Sequence, residues 1–444
     1  MAATGLQFSD TSIYDEIYGY IPLTQAELQL VNHILFQRLN NVKQLGAAYR
    51  VFPGAQHTRF SHSLGVMYIM DRMVTSPNLV SQISIEDRKK LRIAALLHDI
   101  GHYPFSHVTE SVMTEHHTIG ERKHEKLSEY IVAKSSIADL LKSNDFDPLE
   151  IGQIITGQSS EPLFSQLMSS ELDADRIDYL MRDSIHTGVA YGRFDLNRLI
   201  HTLSLDKNGQ LCVEKSGMHA AEGYIIGRYL MWAVVYTHRV TNAFEELIEN
   251  IYTKCAGSSL PSFDEIHKMI AENESMFAKF DDNAIFRTVH ENAHEKTVDE
   301  MCAMFMSREV LAVAKEAQEI SEDGKGEKEY FLLDQFKKED RMQDLAKKSE
   351  IPREWIFHNS SRTQLPSLKP LFEISPTGEE QKGREMSKAI RIADKTGDSV
   401  PLANTRSSIV YYLRNMSLDK VRIYTREKFH KALEKALIEE IGEA

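Results

Sequence analysis

The chain lacks cysteine pairs, a basic excess and long apolar runs, and each shortage removes a class of protein. Its three cysteines, Cys212, Cys255 and Cys302, stand far apart with no C-x-x-C pair, which excludes a disulfide framework and a zinc ribbon and suits a reducing compartment. Acidic residues outnumber basic ones, 65 to 52, for a formal charge of −13. A protein that coats nucleic acid by charge alone is thereby excluded, although a few focused Arg and Lys side chains can still cradle a nucleotide. No apolar run reaches the roughly 18 residues that a membrane span requires. The opening stretch MAATGLQFSD has no basic-then-apolar leader pattern. A cytoplasmic chain with neither membrane nor nucleic acid as partner is expected.

What is present is the composition of a large soluble protein: 444 residues, 42% hydrophobic and 26% charged, enough for an extensive core. The first 260 or so residues read as helical. Thr24 with Glu27 forms a capping box ahead of LTQAELQLVNHILFQRL, and Ser84 with Asp87 opens SIEDRKKLRIAALLHDIG. Leu91, Ala95 and His98 share a face of that second helix, which Gly101 ends. Asp147-Pro148 reads as a cap and first-turn proline, and one long helix is expected from about Ala221 to Tyr252. Beyond residue 260 the texture changes to polar loops at 321–329, 374–385 and 396–408. Short β-like runs lie at 355–359, 371–375, 408–413 and 421–425, ahead of a last amphipathic helix at about 426–442. The expected fold is mainly α: an all-helical core over 1–260 and a smaller α+β lobe over 261–444, regulatory or oligomerising in role.

Three segments carry chemistry: HTRFSHSLGV (57–66), AALLHDIGHYPFSH (94–107) and SSELDADRIDYLMRDSIHTG (169–188). The middle one sets a His-Asp pair at the end of an apolar helix, where a carboxylate is costly unless paired or bound to a metal. His and Asp together suit a divalent ion such as Fe, Mn, Zn, Co or Mg. Asp175, Tyr179 and Asp183 recur at helical spacing on one face, as do Arg228, Trp232 and Tyr236. An aromatic stripe at such spacing is also what core packing produces.

These segments resemble the H…HD…D signature of the HD superfamily. KQLGAAYRVFPGAQHTRFSHSLGV (43–66), HDIGHYPFSH (98–107) and DADRIDYLMRD (173–183) are similar to the dNTP triphosphohydrolases of the sterile-alpha-motif-and-HD-domain type and their bacterial dGTPase-like relatives, over about residues 30–250. The resemblance implies an all-helical HD core that hydrolyses a 2′-deoxynucleoside triphosphate to deoxynucleoside and inorganic triphosphate. It implies His62, His98, Asp99 and Asp175 as ligands of a divalent metal. It assigns His107 as the acid for the leaving sugar oxygen, with His102 and His124 nearby and Glu110 as partner of His124. Gln44 and Asp183 match contacts to the 3′-hydroxyl, and Leu45 and Tyr179 contacts to the sugar. Arg59, Arg176 and Arg228 match phosphate contacts, and Tyr236 the ring that packs where a ribose 2′-hydroxyl would sit.

The sequence leaves the family pattern at Trp232, where relatives can carry His, at Glu110, commonly Asp, and at Asn32 and Asn40, which stand where a guanine-reading Asp and Arg are found. A guanine activator site is therefore not expected, while another nucleotide activator and a homodimer or homotetramer remain implied. Alternatives to the dNTP reading are another HD phosphohydrolase (nucleotide phosphatase, phosphodiesterase or single-strand nuclease) and a nucleotide sensor that has lost the reaction.

Overall fold

Helix capping by side chains decides where the chain turns before it reaches its chemistry. The computed structural model describes residues 5–114, 124–292, 295–322, 328–364, 389–414 and 416–442. An antiparallel hairpin of β1 (Ser12–Asp15) and β2 (Gly19–Pro22) leads to α1 (Gln25–Val31). There the Thr24 hydroxyl accepts the Glu27 amide and the Glu27 carboxylate accepts the Thr24 amide, the expected capping box. The single helix read from LTQAELQLVNHILFQRL does not form. His33 accepts the Leu35 amide on Nδ1 and starts a separate helix, α2 (Ile34–Gln37), followed by a 3-10 turn over Arg38–Asn41. The break turns the Arg38 side chain inward, where it is buried.

α3 (Arg59–Val74) and α4 (Ile85–Leu97) pack together at the centre of the core. α5 (His107–Thr114), α6 (His124–Lys134), α7 (Ser136–Ser143) and α8 (Pro148–Ile155) follow, with α8 laid on both α4 and α6. Asp147 caps α8 ahead of Pro148, as expected. After α9 (Pro162–Met168), α10 (Ala174–Thr187) crosses α3, starting at an Asp173 cap and ending at Gly188 in the left-handed region. α11 (Leu196–His201) leads to strands β3 (Leu203–Leu205) and β4 (Leu211–Glu214) and to α12 (Met218–Met231).

The long helix expected over 221–252 is interrupted. α12 passes into a π turn at Trp232–Tyr236, and His238 then caps a new helix, α13 (Arg239–Cys255), by accepting the Val240 amide. A run of aromatic and β-branched residues crowds the regular ladder there, and a capping imidazole offers the chain an exit.

The helical segments after α13 carry a three-stranded antiparallel sheet in which β5 (Ala312–Glu322) and β6 (Ile356–Gln364) flank the central β9 (Met416–Thr425). β7 (Arg391–Ala393) pairs parallel with β4, and β8 (Ser399–Pro401) antiparallel with β7. The fold is thus mainly α, but the expected all-helical stretch over 1–260 also contains the β1–β2 hairpin and the β3–β4 pair, with the other strands in the carboxy-terminal half. The β-like runs at 355–359 and 421–425 fall at β6 and β9. Residues 408–413 instead form a helix, Ile409–Leu413, because the Ser408 hydroxyl caps it by accepting the Val410 amide. The run at 371–375 lies outside the described residues. Among those described, no helix is long and apolar enough to cross a membrane.

Gly101 does not end α4, which stops three residues before the glycine with His98 as its cap. Its role is proximity: a Cβ at Gly101 would come 2.3 Å from the Ser128 amide nitrogen and 2.6 Å from the His124 carbonyl. Gly101→Ala is therefore expected to cost about 1–3 kcal/mol by forcing this loop off α6. A lower denaturation midpoint at unchanged slope would register it, and an unchanged midpoint would refute it.

Candidate metal centre

Three helices converge on one point because each ends or begins there. α3 supplies His62, the residues just after α4 supply His98 and Asp99, and the first turn of α10 supplies Asp175. His62 Nε2 lies 3.0 Å from Asp175 Oδ1 and 3.7 Å from Asp99 Oδ2, while His98 Nε2 lies 3.3 Å from Asp99 Oδ1 and 3.7 Å from Asp175 Oδ1. The structure therefore brings together all four side chains singled out as metal ligands. His62, His98 and Asp99 are nearly sealed, whereas the Asp175 side chain is 34% exposed, so the cluster opens to solvent on the α10 side.

Each imidazole is aimed by its other nitrogen. His98 Nδ1 donates to the Ala95 carbonyl at 2.8 Å, and His62 Nδ1 donates to Asp178 Oδ2 at 2.8 Å. Both Nε2 atoms consequently turn into the cluster, the tautomer that metal ligation uses. His98 Nε2 is buried and has no hydrogen-bond partner among the described residues. A lone pair facing two carboxylates calls for a cation or a proton between them. Without a metal the histidines answer with protons: burial pulls His62 down, but its hydrogen bonds to Asp175 and Asp178 outweigh this and raise it to about 10. Burial likewise opposes the charge on Asp175, yet His62 and His98 hold it well below the usual carboxylate range. A first-row ion with ligands at about 2.1 Å spaces its donor atoms about 3–3.5 Å apart. The side chains present fit such an ion.

Asp99 also faces a second group. Its Oδ1 lies 3.2 Å from His102 Nε2, and the His102 ring stacks on that of His124 with centroids 3.7 Å apart. His124 Nδ1 donates to Glu110 Oε2 at 2.9 Å, so the structure forms the expected His–carboxylate pair with Glu in place of Asp. Burial lowers His124, but its hydrogen bond to Glu110 and the nearby carboxylate charges outweigh this and raise it. His102 is driven well below its ordinary value by burial, then by the charges of Arg59 and His124. His107 opens α5, and its side chain lies outside the described residues.

Further along α10, Asp183 Oδ1 accepts His57 Nε2 at 2.8 Å and Oδ2 accepts the Tyr236 hydroxyl at 2.7 Å. The Tyr179 and Tyr236 rings meet edge to face at 6.2 Å. Gln44 lies beside them in chain topology: its amide donates to the His57 carbonyl, and its buried side-chain Oε1 has no hydrogen-bond partner among the described residues. Leu45 begins the 3-10 turn that follows. The three arginines matched to phosphate contacts are each engaged with a carboxylate: Arg59 with Asp99, Arg176 with Asp173 and Arg228 with Glu171. Arg59 additionally donates to Ser106 Oγ at 2.9 Å.

Several residues around the centre escaped sequence reasoning. Arg38 donates to the carbonyls of Ile100, His102 and Phe280 at 3.0, 2.6 and 2.9 Å, bracing the loop after the His-Asp pair. Phe105 and Ser106 in that loop hold φ of 53° and 54°, a strained conformation for non-glycine residues. The Asp282 carboxylate clasps the loop by accepting the amides of Phe105 at 2.8 Å and Lys43 at 3.0 Å. Neither long-range contact has a local signal. Asp178 and Arg182, four apart on α10, did have one: the spacing of an intrahelical ion pair.

Comparison with known proteins adds to this geometry. Residues 59–180 match the HD domain, and residues 194–369 match the HD associated region. The chain thus carries an HD domain followed by its associated region. Protein YwfO of Bacillus subtilis is 36% identical over 256 residues, 56% of this chain and 57% of its own length. The deoxynucleoside triphosphate triphosphohydrolase SAMHD1 of Bos taurus is 28% identical over 279 residues, 54% of this chain and 47% of its own. A solved phosphohydrolase from Bacteroides thetaiotaomicron aligns with a TM-score of 0.68 at 25% identity, covering 94% of this chain and 100% of that one. The chain spans about half the length of the first curated relatives it matches.

Proposed function

We propose that this HD-domain chain hydrolyses 2′-deoxynucleoside triphosphates to the deoxynucleoside and inorganic triphosphate. The observation that carries the reading is Asp183, held between His57 and Tyr236 two turns along α10 from Asp175. A carboxylate fixed at that distance from the ion-binding side chains suits a sugar hydroxyl, and the Tyr236 ring beside it suits a sugar without a 2′-hydroxyl. The similarity to the bovine deoxynucleoside triphosphate triphosphohydrolase supports the same reading.

His62, His98, Asp99 and Asp175 would hold a divalent ion, which when bound supplies positive charge to a phosphate oxygen and acidifies water. The protein's own groups do the rest. Asp178 and the Ala95 carbonyl keep the two ligand imidazoles in the tautomer needed. Glu110 fixes Nδ1 of His124, and Nε2 would hold a proton for a departing sugar oxygen, a role shared in this reading with His107. Arg59, Arg176 and Arg228 would exchange carboxylates for phosphate oxygens on substrate entry, since guanidinium forks serve both.

Incubating the protein with each of the four dNTPs and four rNTPs, in Mn or Mg, tests the reading. Inorganic triphosphate should appear from the deoxy substrates. Pyrophosphate or orthophosphate as the first product would mean that another bond is cut and another HD phosphohydrolase chemistry applies. Tyr236→Ala should shift the dNTP-over-rNTP preference by about tenfold towards rNTPs, the scale of one lost steric or hydrogen-bonded contact. Equal turnover of both sugars in the unaltered protein would end the deoxy-specific reading.

A further inference from the structure

The break between α12 and α13 leaves carbonyls that no helix serves. In a π turn the amides reach back five residues instead of four. The Thr237 amide goes to Trp232 O at 3.1 Å, and the His238 amide goes to Val235 O at 3.3 Å. The Ala233 carbonyl, within reach of those amides in a regular helix, is left to side chains, with the Thr237 hydroxyl a long 3.4 Å away. The Thr237 carbonyl, which precedes the His238 cap of α13, is left to them as well.

Strand β9 answers from about 180 residues away in sequence, with three donors at alternate positions on one face. Lys420 Nζ donates to Ala233 O at 2.7 Å and to Thr237 Oγ1 at 2.9 Å. Arg422 Nη1 donates to Thr237 O at 2.9 Å, and the Tyr424 hydroxyl donates to Arg239 O at 3.0 Å. All three side chains belong to buried residues of the central strand of the sheet. Arg422 is held from the side by Glu316 Oε1 at 2.7 Å and Asn242 Oδ1 at 3.0 Å. Lys420 lies 5.7 Å from the Trp232 ring.

A buried ammonium and guanidinium are a costly way to pack a strand against a helix. An apolar face would do as well for stability, so what the cations add is a fixed register between carbonyl and donor. The segment they fix contains Tyr236, whose hydroxyl meets Asp183. We propose that Lys420, Arg422 and Tyr424 are positioning residues: the carboxy-terminal sheet sets the π turn and so places Tyr236 against Asp183, making sugar selectivity depend on the sheet. The inference rests on the reading of that pocket as a deoxynucleotide site.

The test uses the full-length, metal-loaded protein with Lys420→Met, Lys420→Arg and Tyr236→Ala, each also made in a Trp355→Phe background so that Trp232 is the remaining one of the chain's two tryptophans. In Lys420→Met the Trp232 emission should shift. KM for dNTPs should rise with kcat less affected, and the dNTP-over-rNTP preference should fall by about tenfold, the worth of one hydrogen bond to a charged donor. Lys420→Arg should restore both readouts in large part. Should Lys420→Met fail to fold, Tyr424→Phe removes a single rung, with a smaller shift in the same direction expected. Preference lost in Tyr236→Ala but kept in Lys420→Met would overturn the ladder and leave the substrate reading intact. If Tyr236→Ala itself leaves the preference untouched, the substrate reading fails, and an unchanged Trp232 spectrum in Lys420→Met then overturns the ladder separately.

Discussion

His98→Ala is expected to lower hydrolysis by at least about a thousandfold, because a metal centre contributes several kcal/mol to a phosphoryl-transfer barrier and each 1.4 kcal/mol is tenfold. The loss should come from the ion leaving, not from the chain unfolding. His98 sits at the C-terminal cap of α4; outside the cluster its Nδ1 bonds the Ala95 carbonyl, and its own carbonyl accepts the Ser128 hydroxyl, a backbone contact that the substitution keeps. Removing it leaves His62 and Asp175 as a pair that already satisfies itself at 3.0 Å, so the neighbours have somewhere to relax. Thermal denaturation should therefore move little in the metal-free protein while metal content, read by elemental analysis after dialysis, falls to background. Asp175→Ala should behave in the same way. Retained metal and retained rate in His98→Ala would shift the centre to the neighbouring group of Asp99, His102 and His124, one of two further sets of donor atoms among the described residues close enough to share an ion.

How much of this was legible beforehand depended on whether a signal is local. His98 and Asp99 are adjacent, His62 lies in one of the three motif segments, and Asp175 heads a helix whose cap is readable in Asp173, so the four proposed ligands could be named from spacing and resemblance. Thr24–Glu27 and Asp147–Pro148 were readable because a cap acts over three residues. The clasp of Asp282 on the Lys43 and Phe105 amides was not, since its partners lie 239 and 177 residues away. Strand β5 was missed for a different reason. AVAKEAQEISE is rich in good helix formers, and pairing with β9 overrides that preference. The π turn fell between the two cases: its crowded residues were visible, but the donors that make the break tolerable come from Lys420 and Arg422 at the far end of the chain.

Arg182 offers the sharpest separation between holding the fold and holding the ion. Its guanidinium is fully buried. Nε and Nη2 fork onto Asp178 at 2.9 and 3.1 Å, Nη2 also meets Asp15 at 2.9 Å, and Nη1 meets Glu16 at 3.0 Å. One arginine thus ties the β1–β2 hairpin to the carboxylate that orients His62. The junction is tight: a Cβ at Gly65 would come 2.0 Å from Asp178 Oδ1 and 2.4 Å from Arg182 Nη2, so nothing larger can reach in to replace the arginine. Arg182→Met fills most of the space but strands two buried carboxylates, and a stability loss of about 3–5 kcal/mol is expected from denaturant titration. Metal affinity should fall as well, by about 10–100-fold, because Asp178 no longer fixes the His62 ring. The two effects can be pulled apart by adding Asp15→Asn. Neutralising Asp15 removes one stranded charge and should recover part of the stability. It leaves Asp178 unsupported, so metal affinity should stay low. Arg182→Lys should lie between, since a single ammonium cannot fork onto Asp178 and reach the hairpin at once. If the double variant regains metal affinity along with stability, Arg182 acts on the ion only through global folding, and the path from hairpin through Asp178 to His62 is refuted.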